Sequence, residues 1–141
     1  MGVRGMMMVT LETAALVGVE KRLNPEQNIE GGSRYLAMLL EKNKVGITEA
    51  DKLSIVLASY NLGPTNILKV ANLIDENIEN VSWLEIEEKL KTLKGEDLNL
   101  TDSVSYTRGQ QAIDYVGRVK EYYQLMSAHS CVQPKDQLIF F

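Results

Sequence analysis

The stretch "TEADKLSIVLASYNLGPTNILKVANLI", residues 48–74, carries the strongest fold signal in the sequence. Thr48 and Asp51 have the spacing of a capping box, which starts a helix. Apolar side chains then recur at helical intervals, at Leu53, Val56, Leu57 and Tyr60. Gly63 can adopt a positive φ and Pro64 restricts the residue before it, so this helix ends there and a second helix follows. The stretch predicts two consecutive helices and no strand.

Four further helices are predicted on either side of this stretch, from capping signals and apolar periodicity. They run from Thr10 to Gly18, from Asn24 to about Asn43, from Ser82 to about Leu93 and from about Tyr106 to Ser127. No pair of apolar runs is joined by a hairpin turn signal. The sequence therefore predicts an all-α fold of about six helices.

The helix that starts at Asn24 contains a glycine pair, Gly31 and Gly32. Each glycine costs about 1 kcal/mol relative to alanine inside a helix, so we expect the backbone of another segment to approach closely there. The inward face predicted for this helix comprises Ile29, Gly32, Leu36, Leu39 and Leu40.

The composition is that of an ordinary soluble globular domain: 141 residues, 45% hydrophobic and 24% charged, with a net charge of −4. The acidic balance argues against nucleic acid as a partner, because phosphate binding requires clustered basic residues. No apolar run approaches the roughly 20 residues that cross a bilayer. The "MMMV" run is shorter than the apolar core of a secretory signal, so we expect no export signal in this chain.

Cys131 is the only cysteine and His129 the only histidine. A single cysteine excludes an internal disulfide and a multi-cysteine metal site. We expect no metal site and no cofactor in this chain. We interpret both residues as part of a C-terminal tail, residues 128–141, that follows one domain over residues 1–127. The segment "KGEDLNLTDSVS", residues 94–105, has no periodicity and predicts a surface loop in that domain.

Two segments, "GMMMVT" at residues 5–10 and "ASYNLGP" at residues 58–64, break the amphipathic pattern. The ring of Tyr60 and the amide of Asn61 are suited to the apolar face and the polar substituents of a sugar. Packing of Tyr60 and capping of the helix end by Asn61 would explain the same residues without a ligand. The methionines also have a structural explanation, because this adaptable side chain fills cores.

Four segments together resemble the soluble-type lytic transglycosylase domain in their order and approximate spacing. They are "GVRGMMMVTLETA" (2–14), "NPEQNIEGGSRYLAMLL" (24–40), "ASYNLGP" (58–64) and "YTRGQQAIDYVGRVKEYY" (106–123). In that family a Gly-Leu-Met-Gln signature is followed by a threonine-capped helix, an Ala-Tyr-Asn-x-Gly signature and a late Tyr-Val pair. The variant "GMMM" and the "TRG" at residues 107–109 resemble its membrane-bound lytic murein transglycosylase F branch.

The resemblance implies a lysozyme-like helical domain that cleaves the β-1,4 bond between N-acetylmuramic acid and N-acetylglucosamine in peptidoglycan. In this family cleavage uses no water and leaves a 1,6-anhydro end on the muramic acid. One glutamate, upstream of the Gly-Leu-Met-Gln signature, serves as general acid and then as general base. The resemblance therefore implies no catalytic residue in this chain, because the expected glutamate would lie upstream of residue 1, on a first helix that the chain lacks.

We expect no other acid to replace that glutamate. The acidic residues nearest the "GMMM" segment are interpreted as exposed helix-start charges: Glu12, Glu20, Glu26 and Glu30. The chain by itself is therefore expected to be an N-terminally truncated, inactive form of the domain.

Five substrate-binding residues follow from the resemblance: Met7, Met8, Tyr60, Asn61 and Tyr115. Met7 and Met8 would line the floor of the glycan cleft, whereas Met6 would pack in the core. Tyr60 would lie close to the scissile bond, and Tyr115 would face the cleft from the last helix. Met8 replaces the glutamine that is common in the family. Gln111 stands where the F branch commonly has a glutamate, so no charge-dependent role is expected there.

Two alternatives to an enzyme stay open. The domain would hold peptidoglycan strands without cutting them, or the apolar face left by the missing helix would bind a partner or a second copy of the chain. Peptidoglycan as the substrate or ligand implies a periplasmic or outer-membrane location.

Overall fold

The computed structural model describes residues 4–93 and 106–129. Within these ranges the chain forms six α-helices and one short 3-10 helix, at Ile78–Asn80. The α-helices are α1 (Leu11–Val17), α2 (Pro25–Lys42), α3 (Glu49–Leu62), α4 (Pro64–Ile74), α5 (Trp83–Thr92) and α6 (Tyr106–His129). The predicted all-α fold is confirmed, with an isolated β-bridge between Arg4 and Val9 as the one extended pairing in the described ranges.

Some sequence predictions fall outside those ranges. The predicted loop at residues 94–105 and residues 130–141 of the predicted tail, including Cys131, lie outside the described residues. The last helix extends slightly beyond its predicted end at Ser127, because His129 is still helical and its Nδ1 lies 2.7 Å from the carbonyl oxygen of Leu125.

The chain divides into two compact units, one ending at Lys42 and the other beginning at Asn43. In the first unit α1 packs against α2. Thr10 caps α1 by accepting a hydrogen bond from the backbone N–H of Thr13 (3.0 Å), and Gly18 ends the helix at φ 73°. Both ends of α1 are therefore where the sequence predicted them.

The inward face of α2 differs from the prediction. Ile29 and Leu40 are each 44% exposed, whereas Asn28, Gly31, Gly32 and Leu39 are buried. The buried face is rotated because the two glycines, which have no side chain, form its closest contact with the preceding segments. Hydrophobicity alone could not identify a face whose centre is an asparagine and two glycines.

The second unit is built around α3, which packs against α4, α5 and α6. Residues 54–59 of α3 are buried without interruption, as expected for a helix enclosed by neighbours on several sides. The two serines in this run remain satisfied, because Ser54 Oγ donates to the carbonyl of Ala50 (2.7 Å) and Ser59 Oγ to that of Ile55 (2.8 Å).

Asp51 connects the first turns of α3 and α5. Its carboxylate accepts hydrogen bonds from the backbone N–H and hydroxyl of Thr48 (3.1 and 2.6 Å) and from the backbone N–H of Trp83 (2.9 Å). Burial alone would raise the pKa of Asp51, but these hydrogen bonds and the charge of Lys120 on α6 lower it overall. Burial lowers the pKa of Lys120, against the opposing charges of Glu87 and Asp51. Charge and hydrogen bonding therefore join α3, α5 and α6.

None of the helices in the described ranges is both long enough and apolar enough to cross a membrane.

Candidate functional site

The three methionines lie in a turn before α1, at Gly5–Met8. The backbone N–H of Met8 donates to the carbonyl of Gly5 (3.0 Å), and the flanking Arg4 and Val9 pair as an isolated bridge. Gly5 and Met8 both have a positive φ, of 82° and 50°. Glycine adopts this conformation readily, but methionine does so at a cost, so surrounding contacts must hold the turn.

Asn28 on α2 supplies those contacts. Its side chain is fully buried, and its Oδ1 accepts a hydrogen bond from the backbone N–H of Met7 (2.7 Å). Its Nδ2 donates to the carbonyls of Arg4 (3.1 Å) and Arg22 (2.8 Å). Both amide hydrogens and the amide oxygen therefore form hydrogen bonds with the backbone. One bond is to the turn and a second is to the residue directly before it. A second link to this segment comes from Arg22, whose Nη1 donates to the carbonyl of Val9 (3.1 Å).

The sequence patterns did not identify Asn28. Its signal in the sequence is weak: an asparagine, a poor helix former, inside α2 and one turn before the glycine pair on the same face.

Met7 packs on Gly32 of α2. A Cβ added at Gly32 would lie 2.7 Å from Met7 Cγ, so only glycine leaves room for this side chain. At Gly31 the equivalent contact is with Val19 Cγ2, at 2.5 Å. The close approach predicted at the glycine pair is therefore present, but side chains make it rather than a backbone.

Met6 and Met8 point away from this contact. Met6 is 76% exposed and Met8 is 58% exposed, whereas Met7 is half-buried. The prediction that Met6 packs in the core is wrong, because the turn directs only the middle methionine of the three toward α2. Met8 leaves a flexible, polarizable thioether accessible beside that packed methionine.

In the second unit, Tyr60 and Tyr115 lie together. Tyr60 is in the last turn of α3 and Tyr115 near the middle of α6, and their rings are nearly parallel (11°) with centroids 6.5 Å apart. Both side chains are half-buried, and burial raises the pKa of the Tyr115 phenol. At neutral pH this phenol is a neutral hydrogen-bonding group at the edge of an apolar contact.

Asn61 follows Tyr60 and is exposed. Asn61 does not cap α3. The helix ends at Gly63, whose N–H donates to the carbonyl of Ser59 (2.9 Å). The Asn61 side chain therefore lies at the surface of the last turn of α3, where an amide is accessible to a ligand.

None of the Asp or Glu side chains in the described ranges is fully buried. The acids near the turn are all exposed, namely Glu12, Glu20, Glu26 and Glu30, and Glu30 forms an ion pair with Arg34. Gln111 is exposed on α6. The described residues thus place no carboxyl group in the apolar pocket that a general acid at neutral pH requires.

Residues 1–80 match the family model described as "Transglycosylase SLT domain". The chain is 37% identical over 129 residues to a protein named membrane-bound lytic murein transglycosylase F from Vibrio cholerae, covering 91% of this chain and 24% of that protein. Proteins of the same name from Aliivibrio fischeri (39% identity, 87% and 25% coverage) and Photobacterium profundum (37%, 96% and 26%) are similar. The chain thus spans about a quarter of the length of these curated relatives.

Proposed function

The chain belongs to the transglycosylase SLT domain family, and we propose that it forms part of a peptidoglycan lytic transglycosylase. In this proposal the residues that contact the glycan strand are Met7, Met8, Tyr60, Asn61 and Tyr115. The relatives that support it are named as murein transglycosylases, and the chain aligns with them over most of its own length.

The proposed reaction cleaves the β-1,4 bond between N-acetylmuramic acid and N-acetylglucosamine without consuming water. A carboxylic acid gives its proton to the glycosidic oxygen as the bond from that oxygen to C1 of the muramic acid breaks. The O6 hydroxyl of the same muramic acid then bonds to C1, and its proton returns to the carboxylate. The products are a 1,6-anhydromuramic acid end and a free hydroxyl on N-acetylglucosamine.

The acid in this proposal is a glutamate that precedes the Gly5–Met8 turn in the protein as its gene encodes it. A general acid active near neutral pH needs a raised pKa, which a partly apolar pocket provides. The exposed positions of Glu12, Glu20, Glu26 and Glu30 do not offer such a pocket. One carboxyl is enough in this reaction, because the substrate's own hydroxyl and acetamido group replace the second carboxylate of most glycosidases.

The observation that carries the proposal is the stacking of Tyr60 on Tyr115, with Asn61 exposed at the next position of α3. Aromatic rings bind the apolar face of a sugar, and an adjacent amide can both donate to and accept from its hydroxyl and acetamido groups. Two motifs that are remote in the sequence supply these groups at one end of α3. This combination suits an uncharged glycan better than an anionic or cationic ligand.

Peptidoglycan as the substrate gives the proposed location, which is the periplasm or the outer membrane. The relatives are named as membrane-bound, and this supports a location at the cell envelope.

Binding of the 141-residue chain to purified sacculi, measured by sedimentation, tests the proposed glycan contacts. Tyr60→Ala should weaken binding about 2- to 12-fold, because an aromatic contact contributes about 0.5–1.5 kcal/mol. Tyr122→Ala is the matched control, since Tyr122 lies about two turns beyond Tyr115 on α6 and is 64% exposed. Equal loss of binding in both variants, or no binding by the wild-type chain, would contradict the proposed contacts.

The binding experiment does not distinguish a transglycosylase from a non-catalytic peptidoglycan-binding module, which is the alternative function. The protein as its gene encodes it should release anhydro products if it is a transglycosylase. Tyr60-dependent binding by that protein without any released product would favour the binding module instead.

A further inference from the structure

We propose that Asn28 is a positioning residue that sets the Gly5–Met8 turn in the geometry the reaction requires. This inference rests on the proposed function, because it assigns Asn28 a role in that reaction. Asn28 does so through the backbone of the turn, which carries the proposed glycan-contacting residue Met8, and not through contact with the substrate.

The first support is that both N–H donors and the acceptor oxygen of the Asn28 amide are hydrogen-bonded. Its oxygen accepts from Met7 N–H, and its two hydrogens go to the carbonyls of Arg4 and Arg22. These three backbone groups come from the turn, from the residue that precedes it and from the loop before α2. A primary amide with all three bonds made cannot rotate without breaking at least one of them, so it fixes the three segments relative to one another.

The second support is the direct contact between the turn and the amide. A Cβ at Gly5 would lie 2.7 Å from Asn28 Oδ1, so the backbone of the turn rests on the Asn28 side chain. One helical turn further along α2, the side chain of Met7 packs equally closely against the backbone of Gly32. The turn is thus held against α2 both at its backbone and at one of its side chains.

The third support is the strained residue that these contacts hold. Among residues 4–93 and 106–129, Met8 is the one non-glycine residue with a positive φ. Its side chain is largely exposed, so burial of that side chain does not compensate for the backbone strain. Backbone strain that side-chain burial does not offset is typical of positions held for function. Asn28 holds the residue directly before Met8, because its Oδ1 accepts from the N–H of Met7.

Steady-state kinetics on sacculi, with the protein as its gene encodes it, test this role. Asn28→Ala removes all three hydrogen bonds, and Asn28→Asp keeps the shape and the acceptor but places an oxygen against two carbonyls. Both should lower kcat about 10- to 100-fold, as expected for a small displacement of a substrate-contacting segment. KM should change less than about 3-fold, because the other glycan contacts are intact.

Leu39→Ala is the matched control. Leu39 is a buried residue of the same helix, about 16 Å from Asn28 along its axis, and it has no part in the turn. At a temperature where every variant is folded, Leu39→Ala should keep kcat within about 2-fold of the wild type. Unchanged kcat in the Asn28 variants, or an equal loss in Leu39→Ala, would overturn the positioning role. If the wild-type protein releases no anhydro product, the proposed function fails, and this inference fails with it.

Hydrogen exchange of the wild-type protein tests the geometry without any variant. The Met7 amide should be protected, because Asn28 Oδ1 accepts its hydrogen, whereas the Met6 amide serves as the comparison in the same turn. Exchange of Met7 at the rate of an unstructured amide would overturn the proposal even if the Asn28 variants fail to fold.

Discussion

Tyr60 at the end of α3 stacks on Tyr115 of α6, with the ring centroids 6.5 Å apart and the planes 11° from parallel. This pairing joins two motifs that were predicted separately from the sequence, and it fastens the central helix to the last one. Both tyrosines also remain partly exposed, so the contact has a structural consequence and a proposed functional one, and each can be measured by itself.

A double-mutant cycle measures the structural part. Tyr60→Leu and Tyr115→Leu should each destabilise the chain, and the pair should show a coupling free energy of about 0.5–1.5 kcal/mol in urea unfolding. The control cycle uses Tyr60→Leu with Tyr122→Leu, which lies about 10 Å further along α6 and should be additive within about 0.5 kcal/mol. A coupling no larger than that of the control pair would mean that the stack does not form in solution.

Alkaline pH should weaken the fold through Tyr115. Burial raises the pKa of its phenol above the value of about 10 in the unfolded chain, so the folded state holds this proton more tightly. The resulting contribution to stability is fully present below about pH 10 and is lost as the pH rises through the folded-state pKa. Tyr115→Phe removes the ionisable group, so the free energy of unfolding should fall less steeply between about pH 9 and pH 11. A slope identical to that of the wild type would contradict the buried phenol.

Low pH should destabilise the fold through protonation of Asp51. Its pKa is lowered in the fold, so its contribution is present above the unfolded value of about 4 and is lost as the pH falls through the folded-state pKa. Asp51→Asn should lower the free energy of unfolding by about 1–2 kcal/mol at pH 7. Thr48 and Trp83 donate to different oxygens of the carboxylate, whereas an asparagine amide has one acceptor oxygen. The difference from wild type should shrink toward pH 3.

Glu85→Gln is the control for Asp51. Glu85 occupies the same position in the capping box of α5, but its hydrogen bonds are to Ser82 within that turn. The same chemical change should therefore be milder there, since glutamine also serves in a capping box. If both substitutions have the same effect in urea unfolding, the hydrogen bond between Asp51 and Trp83 does not contribute.

Substitution by alanine should have opposite effects on stability at Gly32 of α2 and Gly117 of α6. Gly32→Ala places a methyl group against Met7 and should destabilise by about 1–3 kcal/mol. Gly117 on α6 has open space around it, so Gly117→Ala should stabilise by up to about 1 kcal/mol. Thermal unfolding of the two variants checks this, and a stabilising Gly32→Ala would show that Met7 does not pack on α2.

The helices and their ends could be predicted from the sequence because their signals are local. Thr10, Thr48 and Ser82 cap α1, α3 and α5, and Gly63 with Pro64 separates α3 from α4. The family could be predicted too, because its four motifs occur in order along the chain, and the family match confirms it.

The contacts of the turn could not be predicted, because they depend on which segments meet in three dimensions. Asn28 has no hydrophobic or charge signal, yet it holds Arg4, Met7 and Arg22 together. Met6 was predicted to be buried, but the backbone direction set by Gly5 leaves it exposed. Three identical side chains in a row differ in burial only through the geometry of the turn.

The most direct test of the proposed function is the chemical form of the sugar ends released from purified sacculi by the protein as its gene encodes it. Mass spectrometry should find muropeptides that end in 1,6-anhydromuramic acid and that borohydride does not reduce. Release of reducible muramic acid ends would identify a hydrolase and contradict the transglycosylase proposal.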